Sequence, residues 1–232
     1  MSKLLQITFA GLLSLSASGA EKPLAALRLH LTEKAIATPE VKLVFESGAS
    51  AEVRAWGDEA AQQVREWWTQ VAHLLATEDF KSPAQLALNF KANQKGPAFR
   101  STEGLTVNID WIVKHPGDFG MIIHEMTHAI QDYKSAPRSA GWLVEGIADY
   151  VRYWHYEPEA PHPRFDPAKA SYRDGYGTTG AFLAWLIVNY DRRIVRRFDA
   201  ALRTGKYSDA LFEELTGKNL DALWQEFIAG RR

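Results

Sequence analysis

The chain of 232 residues contains no cysteine, so no disulfide can brace it and packing must hold it. Neither sign of charge prevails: 27 Lys and Arg stand against 28 Asp and Glu, a net charge of −1. That balance gives no reason to expect nucleic acid or an anionic membrane surface as a partner. The apolar run 4–15 is too short to span a bilayer comfortably, which argues against a permanent anchor. Internal repeats, low-complexity tracts and a linker long enough to separate two independent domains are also missing. What remains is length enough for one large domain or two small lobes around a cleft, with eight Trp for an aromatic core.

The first twenty residues have the layout of a secretory signal: Lys3, the apolar run, then Ser16-Ala17-Ser18-Gly19-Ala20 with cleavage expected after Ala20. Residues 21–232 are then expected to form a single domain, secreted or periplasmic. Short strands are expected at 24–31, 41–45 and 86–90, and a cleaner one at 104–112, where Val107, Ile109 and Trp111 alternate with Thr106, Asn108 and Asp110. An amphipathic helix is expected over 57–77, with Asp58 in its first turn. Pro116-Gly117-Asp118 punctuates the chain, and Asp118 is expected to cap a helix running to about 133. A second helix is expected at 142–156 and a proline-rich irregular excursion at 157–171. Further helices follow at 176–190, 194–202, 208–215 and 219–228, with Gly205 and Gly217 at helix ends. Strands first and helices afterwards make an α+β order.

Two segments carry chemistry. Residues 124–128 read His-Glu-Met-Thr-His, and Glu145 follows the second histidine by seventeen positions within Trp-Leu-Val-Glu-Gly-Ile-Ala-Asp. On a helix, His124 and His128 sit one turn apart on one face and can reach one metal ion. Glu125 lies about 100° further round the helix, where it can stand over the metal as a general base toward water without binding the ion. Zinc needs a third protein ligand, and Glu145 is the leading candidate. Its neighbours Leu143, Val144, Gly146, Ile147 and Ala148 describe a buried setting in which an unpaired carboxylate would cost several kcal/mol, roughly. Asp149, one turn on, can orient a liganding histidine through its free nitrogen. The exchanged assignment, with Asp149 as ligand and Glu145 in support, stays open. A third histidine ligand does not, because the positions that would need Gly and His hold Gln131 and Lys134.

An oxyanion formed at such a site needs a hydrogen-bond donor, and Tyr176, at the start of a helix rich in small residues, is the first choice, with Tyr172 the alternative. His155 and His162 are expected in loops or at the surface, and His30, His73 and His115 lack ligand spacing. The strand 105–111 just before the metal helix is expected to bind an extended peptide as an exposed edge.

His-Glu-Met-Thr-His-Ala-Ile-Gln, Trp-Leu-Val-Glu-Gly-Ile-Ala-Asp-Tyr-Val-Arg and Gly-Tyr-Gly-Thr-Thr-Gly-Ala-Phe-Leu together resemble the basic secretory protein family, grouped with the gluzincin metallopeptidases. That clan includes thermolysin and the leukotriene-hydrolase-like aminopeptidases. The resemblance is close over about 105–190. It implies a zincin-like α+β fold, with a small mixed or antiparallel sheet, a helical C-terminal half and an active-site cleft between them. It also implies His124, His128 and Glu145 as Zn2+ ligands, Glu125 as base and Tyr176 as the tyrosine of the aminopeptidase-like branch. Two departures stand out: the spacing from His128 to Glu145 is slightly shorter than in the best-known gluzincins, and this chain is not basic. The expected activity is endopeptidase hydrolysis of a peptide or protein substrate by a monomer, with no nucleic acid and no stable membrane anchor. A zinc aminopeptidase, a non-catalytic binding protein descended from a peptidase, and metal-dependent hydrolysis of something other than a peptide are the competing readings.

Overall fold

The computed structural model describes residues 36–75 and 80–231. The signal-like segment, the strand expected at 24–31 and His30 lie outside them. The order is β1 (Glu40–Phe45), α1 (Ala51–Leu75), β2 (Gln85–Lys91), β3 (Ala98–Ser101), β4 (Gly104–Asn108), α2 (Ile109–Lys114), α3 (Gly120–Gln131), α4 (Gly141–Val151), α5 (Tyr176–Asn189), α6 (Ile194–Arg203), α7 (Ala210–Thr216) and α8 (Leu220–Ala229). The fold is α+β: one small mixed sheet first, then a helical half. Among the described residues no helix is long and apolar enough to cross a membrane.

The sheet runs β1-β2-β4-β3, with β1, β2 and β4 parallel and β3 antiparallel to β4. Helix α1 makes the crossover from β1 to β2 and packs on both, and its helical neighbours are chiefly α3, with α2 and α6 also against it. It starts six residues before its expected boundary, with the Ser50 hydroxyl accepting the N–H of Val53 at 3.3 Å. Asp58 is therefore in the helix interior rather than in its first turn. The misleading residue is Gly57, which looks like a helix boundary and is instead a packing device. A Cβ there would lie 2.7 Å from Phe45 Cζ and 3.1 Å from Phe90 Cζ, so any larger residue would have to push the Phe45 ring aside. Val53, Trp56, Ala60, Val64, Trp68, Val71 and Leu75 form the buried stripe. Fully burying each of the larger ones contributes roughly 1.5–3 kcal/mol.

The strand expected at 104–112 is half strand and half helix. Asn108 ends it: its side-chain oxygen accepts the N–H of Asp110 at 3.1 Å and caps α2, so Ile109 and Trp111 belong to a helix. The Asn108 amide donates to the carbonyls of Gln94 (3.0 Å) and Gly96 (2.9 Å), pinning the β2–β3 loop. Nor is β4 an edge. It pairs with β2 on one side and β3 on the other, and Leu105 to Asn108 are buried, so a peptide cannot add to it. Among the described residues the free edge on that side is β3, whose pairing was invisible because Ala-Phe-Arg-Ser is too short to show a period.

Asp118 does not cap α3. Its carboxylate instead accepts from Trp111 Nε1 (2.8 Å) and Arg152 Nη2 (2.7 Å), and α3 begins two residues later. The helix expected at 142–156 divides into α4 and a π-turn, Arg152–Tyr156. The later helices fall near their expected places: Asn219 caps α8 through Ala222 N (2.9 Å) and Gly217 ends α7 in the left-handed region.

Candidate metal centre

Helix α3 is buried along nearly its whole length, which is why its sequence has almost no polar face apart from the residues of the site. Helix α4 crosses it, and the two place three ligand atoms together. His124 Nε2 lies 3.1 Å from His128 Nε2, and Glu145 Oε2 lies 3.3 Å from each. His124, His128 and Glu145 thus form a group that could hold a metal ion. The spacing is a test of fit. In a tetrahedral site with metal–ligand distances of about 2.0–2.1 Å, ligand atoms stand about 3.3–3.4 Å apart. Three lone pairs so close would repel one another unless a cation or a proton lay between them.

The outer nitrogens of both rings are fixed. His124 Nδ1 is 2.6 Å from Asp149 Oδ1, and His128 Nδ1 is 2.7 Å from Gln131 Oε1. Both contacts turn the Nε2 atoms inward. Asp149 therefore stands on the far side of the ring from the group, the place of an orienting residue. Gln131, noticed in the sequence only as a missing glycine, does the same for His128, and its amide donates to Val144 O at 3.1 Å on α4. Its spacing of three from His128 was the signal that could have found it. Behind it, Arg203 of α6 donates to the carbonyls of Ile130 and Gln131 at 3.1 Å each, satisfying the C-terminal end of α3. Replacing Gln131 with Leu is expected to weaken metal affinity about 10–100-fold with the fold retained, as read by chelator competition. An unchanged affinity would remove Gln131 from the site.

The electrostatics suit a cation. Burial works against protonation of His124, yet hydrogen bonds to Asp149 and Glu145 raise its pKa to about 9. Burial would raise Glu145, but the two histidines bring it down to about 2. Burial also raises Glu125, against the pull of both histidines and of the Arg100 main chain. Glu125 is only 9% exposed and lines the same cavity, of about 900 Å³, as the three ligand candidates.

Gly146 permits a close helix contact, with α5 as the neighbour rather than α3. A Cβ there would fall 2.1 Å from Thr179 Cγ2. That approach carries the first residue of α5, Tyr176, to the cavity. Its ring lies 6.1 Å from His124 and nearly parallel to it. Its φ of 44° is left-handed, an unfavourable place for a non-glycine residue, held by the turn at Gly175. Tyr176 is 56% exposed, its hydroxyl has no side-chain partner among the described residues, and Glu145, then burial, raise its pKa so that it stays a donor. Tyr172 is elsewhere: its hydroxyl donates to Asp221 Oδ1 at 2.9 Å and it does not line the cavity. Tyr153, unremarked in the sequence, does line it, from the π-turn that no helical period foretells. His73, His115, His155 and His162 do not join the metal group.

Residues 116–227 match the family model BSP, described as a peptidase of plants and bacteria. No curated protein and no solved structure matches the chain significantly.

Proposed function

We propose, from the premise that residues 116–227 are a segment of the BSP family of plant and bacterial peptidases, that this chain is a zinc-dependent endopeptidase of zincin-like fold. The observation that carries the reading is the convergence of His124, His128 and Glu145, with the outer nitrogens of both rings already oriented, beside the buried carboxylate of Glu125. When bound, zinc supplies Lewis acidity, polarising a carbonyl and easing ionisation of water.

The chain's own residues do the rest. Glu125, next to His124 on α3, takes a proton from the attacking water and returns it to the leaving amine. Tyr176 donates its hydroxyl to the oxygen that gains charge. The substrate main chain lies along β3. The bond from Asn108 N to Pro97 O marks that pair as hydrogen-bonded, so by the antiparallel alternation Ala98 and Arg100 turn their main-chain groups away from β4; the Arg100 N–H faces Glu125, which leaves the Ala98 groups and the Arg100 carbonyl for substrate.

The aminopeptidase reading requires a carboxylate to hold the substrate's free amine. Of the carboxylates lining the cavity, Glu145 and Asp149 serve the histidines, Glu125 is the base, and Asp132 is paired with Arg100 and Lys134. Cleavage of internally quenched peptides, with aminoacyl reporters left intact, is the expected result. Turnover confined to aminoacyl reporters would replace endopeptidase with aminopeptidase.

Tyr176→Phe deletes only a hydroxyl and is expected to lower turnover about 10²–10³-fold with little change in ground-state binding. Steady-state kinetics of both tyrosine variants check it. The same loss in Tyr172→Phe, with Tyr176→Phe unaffected, would move the role.

A further inference from the structure

The cavity walls away from the metal centre are lined by four cations, Lys95, Arg100, Arg138 and Arg152, and one carboxylate, Asp132. This bias occurs in a chain whose net charge is −1. Two of the cations are already satisfied: Arg100 by Asp132, and Arg152 by Asp118 and Glu157. Lys95 and Arg138 are exposed, and among the described residues neither has an ion pair or a side-chain hydrogen bond.

Both sit on backbone that is held in place. Asn108, buried, donates to the carbonyls on either side of Lys95, those of Gln94 and Gly96. Arg138 opens a 3₁₀ turn, Arg138–Ala140, in which Ala140 N donates to Pro137 O at 2.9 Å before α4 begins. They also stand at opposite ends. Arg100 pairs with Asp132 at the C-terminal cap of α3, and the loop bearing Arg138 starts at that same cap. Lys95 stands instead before the start of β3, in the bends at 95–97 where Gly96 has a φ of 72°. An extended peptide on β3 would thus meet one uncompensated cation near each end of the strand.

Resting on the peptidase reading of this cavity, we infer that the site selects acidic peptides, with Lys95 and Arg138 each meeting a Glu or Asp side chain on opposite sides of the metal centre. A basic peptide finds no exposed, unpaired carboxylate there: Asp132 is paired with Arg100 and Lys134, Glu145 and Asp149 bond the histidines, and Glu125 is buried. Because both cations are solvent-exposed, the preference is modest and salt-sensitive: roughly two- to fivefold per cation, fading as ionic strength rises.

The test uses the full chain loaded with zinc and carrying Glu125→Gln, with fluorescein-labelled peptides of one backbone bearing Glu, Gln or Lys on each side of a central apolar pair. Fluorescence anisotropy is expected to rank Glu above Gln above Lys at low salt, with the gap closing at high salt. Lys95→Glu and Arg138→Glu, added singly, are each expected to reduce the preference for Glu at one side of the central pair and not the other. Neither residue belongs to the metal group, so zinc content stays at the parent level. Equal binding of Glu and Gln peptides, or a preference untouched by both variants, overturns the inference. Cleavage by the native chain is measured alongside. Cleavage with no charge preference leaves the peptidase reading standing without this one. Charge-selective binding without any cleavage does the reverse, and binding of no peptide overturns both.

Discussion

Glu125→Gln is expected to retain one metal ion and to lose hydrolysis by about 10²–10⁴-fold, the usual contribution of a positioned general base. The side chain is 9% exposed and surrounded by the metal group, so a near-isosteric amide should leave the packing of α3 intact. What changes is chemistry alone. A carboxylate whose pKa is raised by burial can accept a proton from water at neutral pH and give it up again, and an amide can do neither. Metal content by elemental analysis and quenched-peptide turnover, taken on the same sample, separate the two effects. Turnover near the native rate would remove Glu125 as the base.

Glu145→Ala is expected to abolish tight metal binding, while Asp149→Ala weakens it about 10–100-fold. The first removes one of three atoms that converge within 3.3 Å. The second removes an acceptor from His124 Nδ1, 2.6 Å away, on the side of the ring opposite that group. Asp149→Asn offers a further check, since its amide oxygen can still accept from the ring N–H and should restore part of the affinity. Chelator competition on all three variants gives the order. If Asp149→Ala is the most damaging, the two acidic residues exchange roles.

The candidate metal group was legible because a helix fixes what faces what. Residues 124 and 128 share a face in any helix, and the apolar run around Glu145 marked a carboxylate that needed a partner. The strand-then-helix order was equally plain. The losses came where tertiary pairing overrides local pattern. Residues 104–112 alternate well enough to pass for one strand, yet the Asn108 side chain is better used capping α2 and anchoring a loop. Strand β3 exists only because β4 pairs with it, and its four residues carry no signal alone. Gly57 misled because a glycine that admits a neighbouring ring and one that ends a helix are identical in sequence. Gln131 and Arg203 were passed over because their partners, a ring nitrogen and two carbonyls, are set by the meeting of α3, α4 and α6.

The most direct measurement is a zinc titration of metal-depleted protein, with bound metal and quenched-peptide hydrolysis followed in the same samples. The account predicts one zinc ion per chain, hydrolysis rising in proportion to it, and loss of both in a His124→Ala, His128→Ala variant. Full hydrolysis by the metal-depleted protein, or a folded chain that takes up no zinc, would contradict it.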